Sequence, residues 1–596
     1  MVTAVVLGVV LQARPASACG GLFCSSANLV NQAAERIVFA QDQGTTTAVI
    51  EINYQGPASR FSWVLPVPGV PEVSLSSSQA LNLLQNRSDP QYIVNTHYSG
   101  NCQPEDDYPY YGGSTDASAP SADAGSPGVS VLASGSVGPY DFSVIQIDAQ
   151  ASEPVKVMID WLKSNHYDVS LLGQDLLGEY VAQGMNFLAV RLNKSANAGA
   201  VRPVMIKYQS TRPVIPIRPT SVAANPDMGV MVWVLGASRA VPVNYRSLEL
   251  NDALIDWFYW YSNYNDVVTE AANEAGGHGF VTQYAGDPSI TKNAAWGASA
   301  EGVRAALDNE SDPQQLLLDA AINFGTLDGF ADVVTQTVPL PAGVSAEQFM
   351  SCFYCYLGYG AGGGDAGLAG FDKTAFLTSL DSLVIDPMRK TQELFDNAGY
   401  VTRLYTTLSP DEMTVDPEFD FNSDLGDVSN VHEVDQAIQC ADGGTSWSID
   451  LPSGLTVFGT DPTTWPVTSS SNLPANLRIW QYSTSGQGQL ITDNSRLIPD
   501  MIGQQNLPLI AGPNFPTRPG TVVGGSTSHT GSNGGSASNA SDAGGDVDSG
   551  VSAHHSSEQG KSNCGCRVVG NAAPGGGAKA LWLSLLGLAL MRRRKA

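Results

Sequence analysis

The chain has 596 residues, 43% of them hydrophobic and 8% aromatic, enough for one large or two medium cores. Its formal net charge is −27 although only 15% of residues are charged, so the acidity comes from a scarcity of Lys and Arg. Such a surface disfavours nucleic acid, whose binding needs basic patches that displace counterions; it suits an extracellular setting and mildly favours divalent cations.

Taken in chain order, Thr3 to Leu11 is a short apolar segment, and Ala16-Ser17-Ala18 supplies a small-x-small pattern before Cys19. Residues 1–18 therefore read as a secretory signal, which implies export machinery and a signal peptidase as partners. No basic residue precedes the apolar run, which leaves a start further upstream open. Cys19 also raises a lipoprotein reading, against which stands Ala16 where leucine is preferred.

Strands are predicted at 36–40, 46–54 and 60–66 from β-branched and aromatic enrichment, with Pro66, Pro68 and Pro71 ending the last. A short capped helix is predicted over 78–85. Residues 103–138 are rich in Pro, Gly, Ser, Ala and Asp and read as a disordered insertion. A strand at 141–148 precedes helices around 155–163 and 173–182. Val155, Met158, Ile159 and Leu162 form an apolar stripe on the first of these helices. Strands follow at 186–192, 201–208 and 229–235.

From residue 251 the pattern turns helical. Helices are expected over 256–273, 299–308, 313–323 and 345–356, then as one long helix over 373–397 interrupted near Pro387. A mixed region runs from 399 to about 510. This order of elements predicts an α+β fold: a mixed or antiparallel sheet with packed helices in the N-terminal half and a more helical second half. The exported body spans 19–515, with a subdomain boundary expected near 250. Residues 516–563 form a flexible Gly/Ser-rich linker, and 564–596 a C-terminal sorting or anchor segment.

That last segment carries the clearest address. Cys564 and Cys566 are followed by a Gly-rich spacer, an apolar run from Ala580 to Met591, and Arg592, Arg593, Arg594 and Lys595. Twelve apolar residues span roughly 18 Å as a helix, short of the ~30 Å hydrocarbon core. The order and spacing resemble a MYXO-CTERM sorting domain. The resemblance implies a myxosortase-type processing protease as partner, contact with the membrane through this segment, and processing at Cys564 or Cys566.

A second resemblance lies in the body. The stretches at 18–24 (ACGGLFC), 36–40 (RIVFA), 63–73 (WVLPVPGVPEV) and 401–422 are similar to the bacterial "domain of unknown function 2330" family over roughly residues 19–440. It implies an exported bacterial protein and brings no established activity, ligand or catalytic residue.

The residues that could carry chemistry are few. Cys19, Cys24, Cys102, Cys352, Cys355 and Cys440 can form three disulfides in an oxidising compartment, with 15 possible pairings left open. Cys352 and Cys355 form a C-x-x-C without the second ligand pair of a zinc site. The glycines at 358, 360 and 363 match the dinucleotide pattern by letter but lack the strand before it. Asp420, Asn422, Asp424 and Asp427 place oxygen ligands at near-alternate positions, a calcium candidate that is not an EF-hand. Trp257, Phe258, Tyr259, Trp260, Tyr261 and Tyr264 read mainly as a packed helical face and secondarily as a sugar-stacking surface. No G-x-S-x-G or H-E-x-x-H occurs. The function expected from these readings is a surface-anchored, non-enzymatic envelope or adhesion component without a cofactor. The alternatives are a secreted hydrolase with a site assembled from distant residues, and a calcium- or glycan-binding module.

Overall fold

The structure is a computed structural model that describes residues 31–55, 62–100, 129–165, 167, 174–192, 201–341, 343–352, 356, 368–441, 444–467 and 472–510. The chain divides into two units at residues 525 and 526, and the second lies wholly outside the described residues.

The first strands are β1 (Asn31–Asp42), β2 (Thr45–Gln55), β3 (Ser62–Val67), β4 (Glu72–Leu75), β5 (Gln91–Gly100), β6 (Val129–Val137), β7 (Tyr140–Ile147), β8 (Asn186–Leu192), β9 (Val204–Gln209) and β10 (Ala224–Gly236). They continue as β11 (Ala240–Pro242), β12 (Arg246–Leu250), β13 (Gly279–Gly286), β14 (Tyr400–Leu408), β15 (Phe419–Phe421), β16 (Val431–Ala441), β17 (Gly444–Asp450), β18 (Thr456–Gly459), β19 (Asn476–Gln481) and β20 (Gln489–Asp493). The helices are α1 (Ser78–Ser88), α2 (Pro154–Ser164), α3 (Gln174–Ala182), α4 (Tyr264–Glu274), α5 (Ala298–Asn309), α6 (Pro313–Phe324), α7 (Phe330–Thr337), α8 (Ala346–Ser351), α9 (Lys373–Leu380), α10 (Asp386–Asp396) and α11 (Leu497–Ile510).

The fold is α+β. A ten-stranded mixed sheet runs in the order β20-β19-β12-β13-β14-β10-β1-β2-β9-β4, with β1 parallel to β10 and antiparallel to β2. One face of this sheet packs on α1 and the helices of residues 298–396 through Val38, Val49, Trp233 and Leu235. The other face, through Ile37, Phe39, Ile50 and Val232, packs on a four-stranded sheet in the order β3-β8-β7-β6. That smaller sheet is covered outside by α2 and α3. Alternation explains the layering: in β8, Leu188 and Val190 face inward to the large sheet, while Phe187 and Ala189 face the outer helices. Strands buried on both faces therefore read as continuous apolar runs. Burying each such Leu, Val or Phe stabilises by roughly 1.5–3 kcal/mol. A further sheet, β18-β17-β16-β5, packs with α4, β12, β19 and α11 around Trp447 and Trp257.

Local chemistry accounts for the turns. The β1–β2 hairpin closes through Gln43 and Gly44, both at positive φ (45° and 79°), the geometry that matches strand twist in a two-residue loop. Pro66 sits in β3, which is an edge strand of its sheet, where a missing N–H costs no ladder bond.

Several expectations are corrected. Residues 129–137 of the presumed insertion form β6, a hairpin with β7 turning at Gly138 (φ 54°); residues 101–128 lie outside the described residues. Strands from both sides of residue 250 join the ten-stranded sheet, so no boundary falls there among the described residues. Residues 256–263 are not helical: the helix begins only at Tyr264, after a 3₁₀ turn at Trp260–Ser262. Asp256 Oδ1 accepts from the Phe258 and Tyr259 amides, and Asn263 Nδ2 donates to the Leu254 carbonyl, so side chains compete with helical bonding. The interruption before Pro387 takes the form of a π-helical turn, Asp381–Ile385. It accommodates a proline that lacks an N–H and crowds the preceding turn.

Candidate functional site

Between the two stacked sheets lies a cavity of about 500 Å³. Its floor is Ile37 and Phe39 of β1, Ala48 and Ile50 of β2, and Ile206 and Tyr208 of β9; its roof is Trp63, Leu65 and Val67 of β3. The size is that of a small-molecule site, and the lining joins this apolar floor and roof to a comparable polar surface that includes Arg212, Arg218, Asn244 and Glu418. Three stretches noted in the sequence meet here: residues 36–40, 63–73, and Thr414 to Glu418 from the 401–422 stretch.

Two of the cavity's polar clusters contain a carboxyl raised by burial. Glu35 precedes Ile37 and Phe39 on the same side of β1, is 6% exposed, and accepts from Gln32 Nε2 at 3.3 Å. Burial pushes its carboxyl up from 4.5 to about 7, only partly offset by the Gln32 bond. At another edge, Tyr180 of α3 donates to Asp416 Oδ2 at 2.6 Å, and the Arg218 amide bonds Asp416 Oδ1. Burial raises the Asp416 carboxyl and raises the Tyr180 phenol, the latter aided by the Asp416 charge. The Arg218 guanidinium packs over the Tyr180 ring, 5.9 Å from its centroid, and grips Glu179 with both terminal nitrogens. None of these residues was singled out from sequence. A carboxylate in the inward register of a strand, as Glu35 stands to Ile37 and Phe39, is the signal that could have found the first.

On the helix-bearing face of the large sheet an open cleft of about 730 Å³ surrounds Arg403. The Arg403 side chain is 1% exposed, bonds Asp89 at 2.5 Å and the Ser88 hydroxyl at 3.1 Å, and lies over the Trp233 ring. Burial pulls its pKa down, opposed by the Asp89 charge.

The residues proposed from sequence lie elsewhere. Asp420 pairs with Arg212 at 2.7 Å. Asn422 donates to the Ser483 and Gly486 carbonyls and accepts from the Asp424 amide. Asp424 accepts from the Gly486 amide, and Asp427 from the Tyr400 hydroxyl. These side chains fasten their loop to neighbouring segments, and no group of three His, Cys, Asp or Glu placed to hold a metal occurs among the described residues. Of the aromatic run, Trp257 and Tyr264 are buried, whereas Tyr259 and Tyr261 are 47% and 72% exposed. Cys352 caps α8, and Cys440 lies in β16 opposite Gly100. Cys19, Cys24, Cys102, Cys355, Cys564, Cys566, Arg592, Arg593 and Arg594 lie outside the described residues, as do the glycines at 358, 360 and 363.

No described helix is long and apolar enough to cross a membrane. A family model described as "Uncharacterized protein conserved in bacteria (DUF2330)" matches residues 13–393, ending before the 401–422 stretch. No curated protein and no solved structure matches the chain.

Proposed function

Starting from the fact that the chain belongs to the DUF2330 family of uncharacterized bacterial proteins, we propose that it is an exported, surface-held binding protein. It takes a small molecule with an apolar body and a hydrogen-bonding group into the inter-sheet cavity, without chemical turnover. The observation that carries the binding role is the cavity itself: a wall of Ile, Phe, Trp, Leu and Val side chains, with Glu35 buried among them and further polar groups such as Arg218 and Asp416 beside it. Below about pH 7 a protonated Glu35 can donate a hydrogen bond to such a ligand.

The location rests on the chain ends. The segment 1–18 reads as a signal for export, and 564–596 resembles a MYXO-CTERM segment, for which a myxosortase-type protease would act at Cys564 or Cys566. In the oxidising compartment this location implies, Cys352 and Cys440 would be available for disulfide formation. Nucleic acid is not a partner of so acidic a surface.

The test uses a dansyl-labelled fatty acid and its uncharged alcohol analogue. Wild type should enhance dansyl emission with both, and Ile50→Trp, which fills the cavity, should abolish it. Emission unchanged by wild type, or equal in the variant, overturns the binding role. Protease shaving of intact cells should release the body; recovery only from the cytosol overturns the location.

A further inference from the structure

A separate cavity of about 380 Å³ lies where β12, β13 and β19 of the large sheet meet β5 and β16 of the smaller one. It shares no lining residue with the inter-sheet cavity. Aromatic rings line it from several directions. Trp480 and Tyr482 have ring planes within 6° of parallel and centroids 6.2 Å apart. Tyr92 meets Trp257 edge-on at 4.8 Å. The Trp480 ring is held by its N–H, which donates to Glu249.

Polar groups that lack partners line the same space. Ser247 is 5% exposed and its hydroxyl has no hydrogen-bond partner. Gln283 is 4% exposed; its amide nitrogen donates to the Tyr264 hydroxyl, while its carbonyl oxygen has none. Arg239 donates through its terminal nitrogens to the Gly426 carbonyl and Thr282 hydroxyl, leaving Nε without a partner. Buried polar atoms left unpaired each cost about 1–3 kcal/mol; three side chains that line this cavity carry one each, and a ligand whose hydroxyls reach them would recover that cost.

Ser247, Asp252 and His432 all line this cavity, the residue types of a hydrolytic relay. They are not wired as one. Asp252 is committed to the Ser453 amide and hydroxyl, the His432 ring stacks on Tyr92 at 4.7 Å, and the Ser247 hydroxyl is unpaired. The arrangement suits recognition rather than bond cleavage.

We infer that this cavity binds a saccharide. A pyranose presents C–H faces that pack on aromatic rings, and equatorial hydroxyls that both donate and accept. Those hydroxyls match an acceptor at Gln283, a donor at Arg239 and a group capable of either role at Ser247.

The test is isothermal titration of the full chain with glucose, galactose, N-acetylglucosamine and their β-linked oligomers. At least one should bind and change tryptophan emission. Trp480→Ala should abolish binding. Ser247→Ala should weaken it about tenfold, the loss of one buried hydrogen bond, while raising the melting temperature of the free protein by removing an unpaired hydroxyl. Ile50→Trp should leave saccharide binding intact, which separates this site from the inter-sheet cavity. No binding across the panel, or wild-type affinity in Ser247→Ala, overturns the inference.

Discussion

Glu35→Gln isolates the energetic consequence of a carboxyl in the apolar layer. The residue is 6% exposed, and burial raises its pKa from 4.5 to about 7. The native state thus holds a proton that the unfolded chain releases above pH 4.5. The sign follows directly: the native state binds more protons between pH 4.5 and about 7, so stability falls as pH rises through that window. Above about pH 7 the full deficit is present; below 4.5 it is absent. The gap from 4.5 to about 7, at 1.36 kcal/mol per pH unit, corresponds to about 3 kcal/mol. Glutamine keeps the shape, the carbonyl and a hydrogen-bond donor, but never ionises. Urea denaturation of wild type and variant at about pH 4 and pH 8 measures the difference. The variant should gain about 3 kcal/mol relative to wild type on going from the lower pH to the higher. Other buried carboxyls raised by burial, Asp252, Asp332 and Asp416, are common to both proteins and drop out of the comparison. An equal difference at both pH values would refute the reasoning and place Glu35 in contact with water.

Two further outcomes are expected. Asp89→Ala strands the buried Arg403 guanidinium, whose side chain is 1% exposed, and should destabilise the protein by about 3 kcal/mol in urea denaturation; a loss below about 1 kcal/mol would show that water reaches the cation. Millimolar calcium should leave the melting temperature unchanged, because Asp420, Asp424 and Asp427 already bond Arg212, the Gly486 amide and the Tyr400 hydroxyl; a clear upward shift would show that the loop reorganises around the ion.

Much of the fold was legible in local pattern. The alternation of Ile37 and Phe39 against Val38 fits a strand with two apolar faces, and the Val155, Met158, Ile159 and Leu162 stripe fits α2, which buries Met158, Ile159 and Leu162 against its sheet. The 256–263 segment failed because helical spacing of aromatics was read without the Asp256 and Asn263 side chains that compete for the backbone. β6 was obscured by small residues whose strand state depends on pairing with β7. The calcium reading rests on ligand spacing within 420–427, whereas the partners of Asp420 and Asp424, Arg212 and the Gly486 amide, come from segments distant in the chain.

By itself the sequence determined the α+β class and the core positions of the long strands. Only tertiary structure decided that β1 lies parallel to β10, with Ile37 beside Val232, nearly two hundred positions away in the chain. Only tertiary structure enclosed Glu35 between two sheets and placed Ser247, Gln283 and Trp480 around one space. The physical reason is that periodicity records which side of an element avoids water. Which surface covers that side, and which polar atoms are left there without partners, depends on contacts between segments that no local pattern encodes.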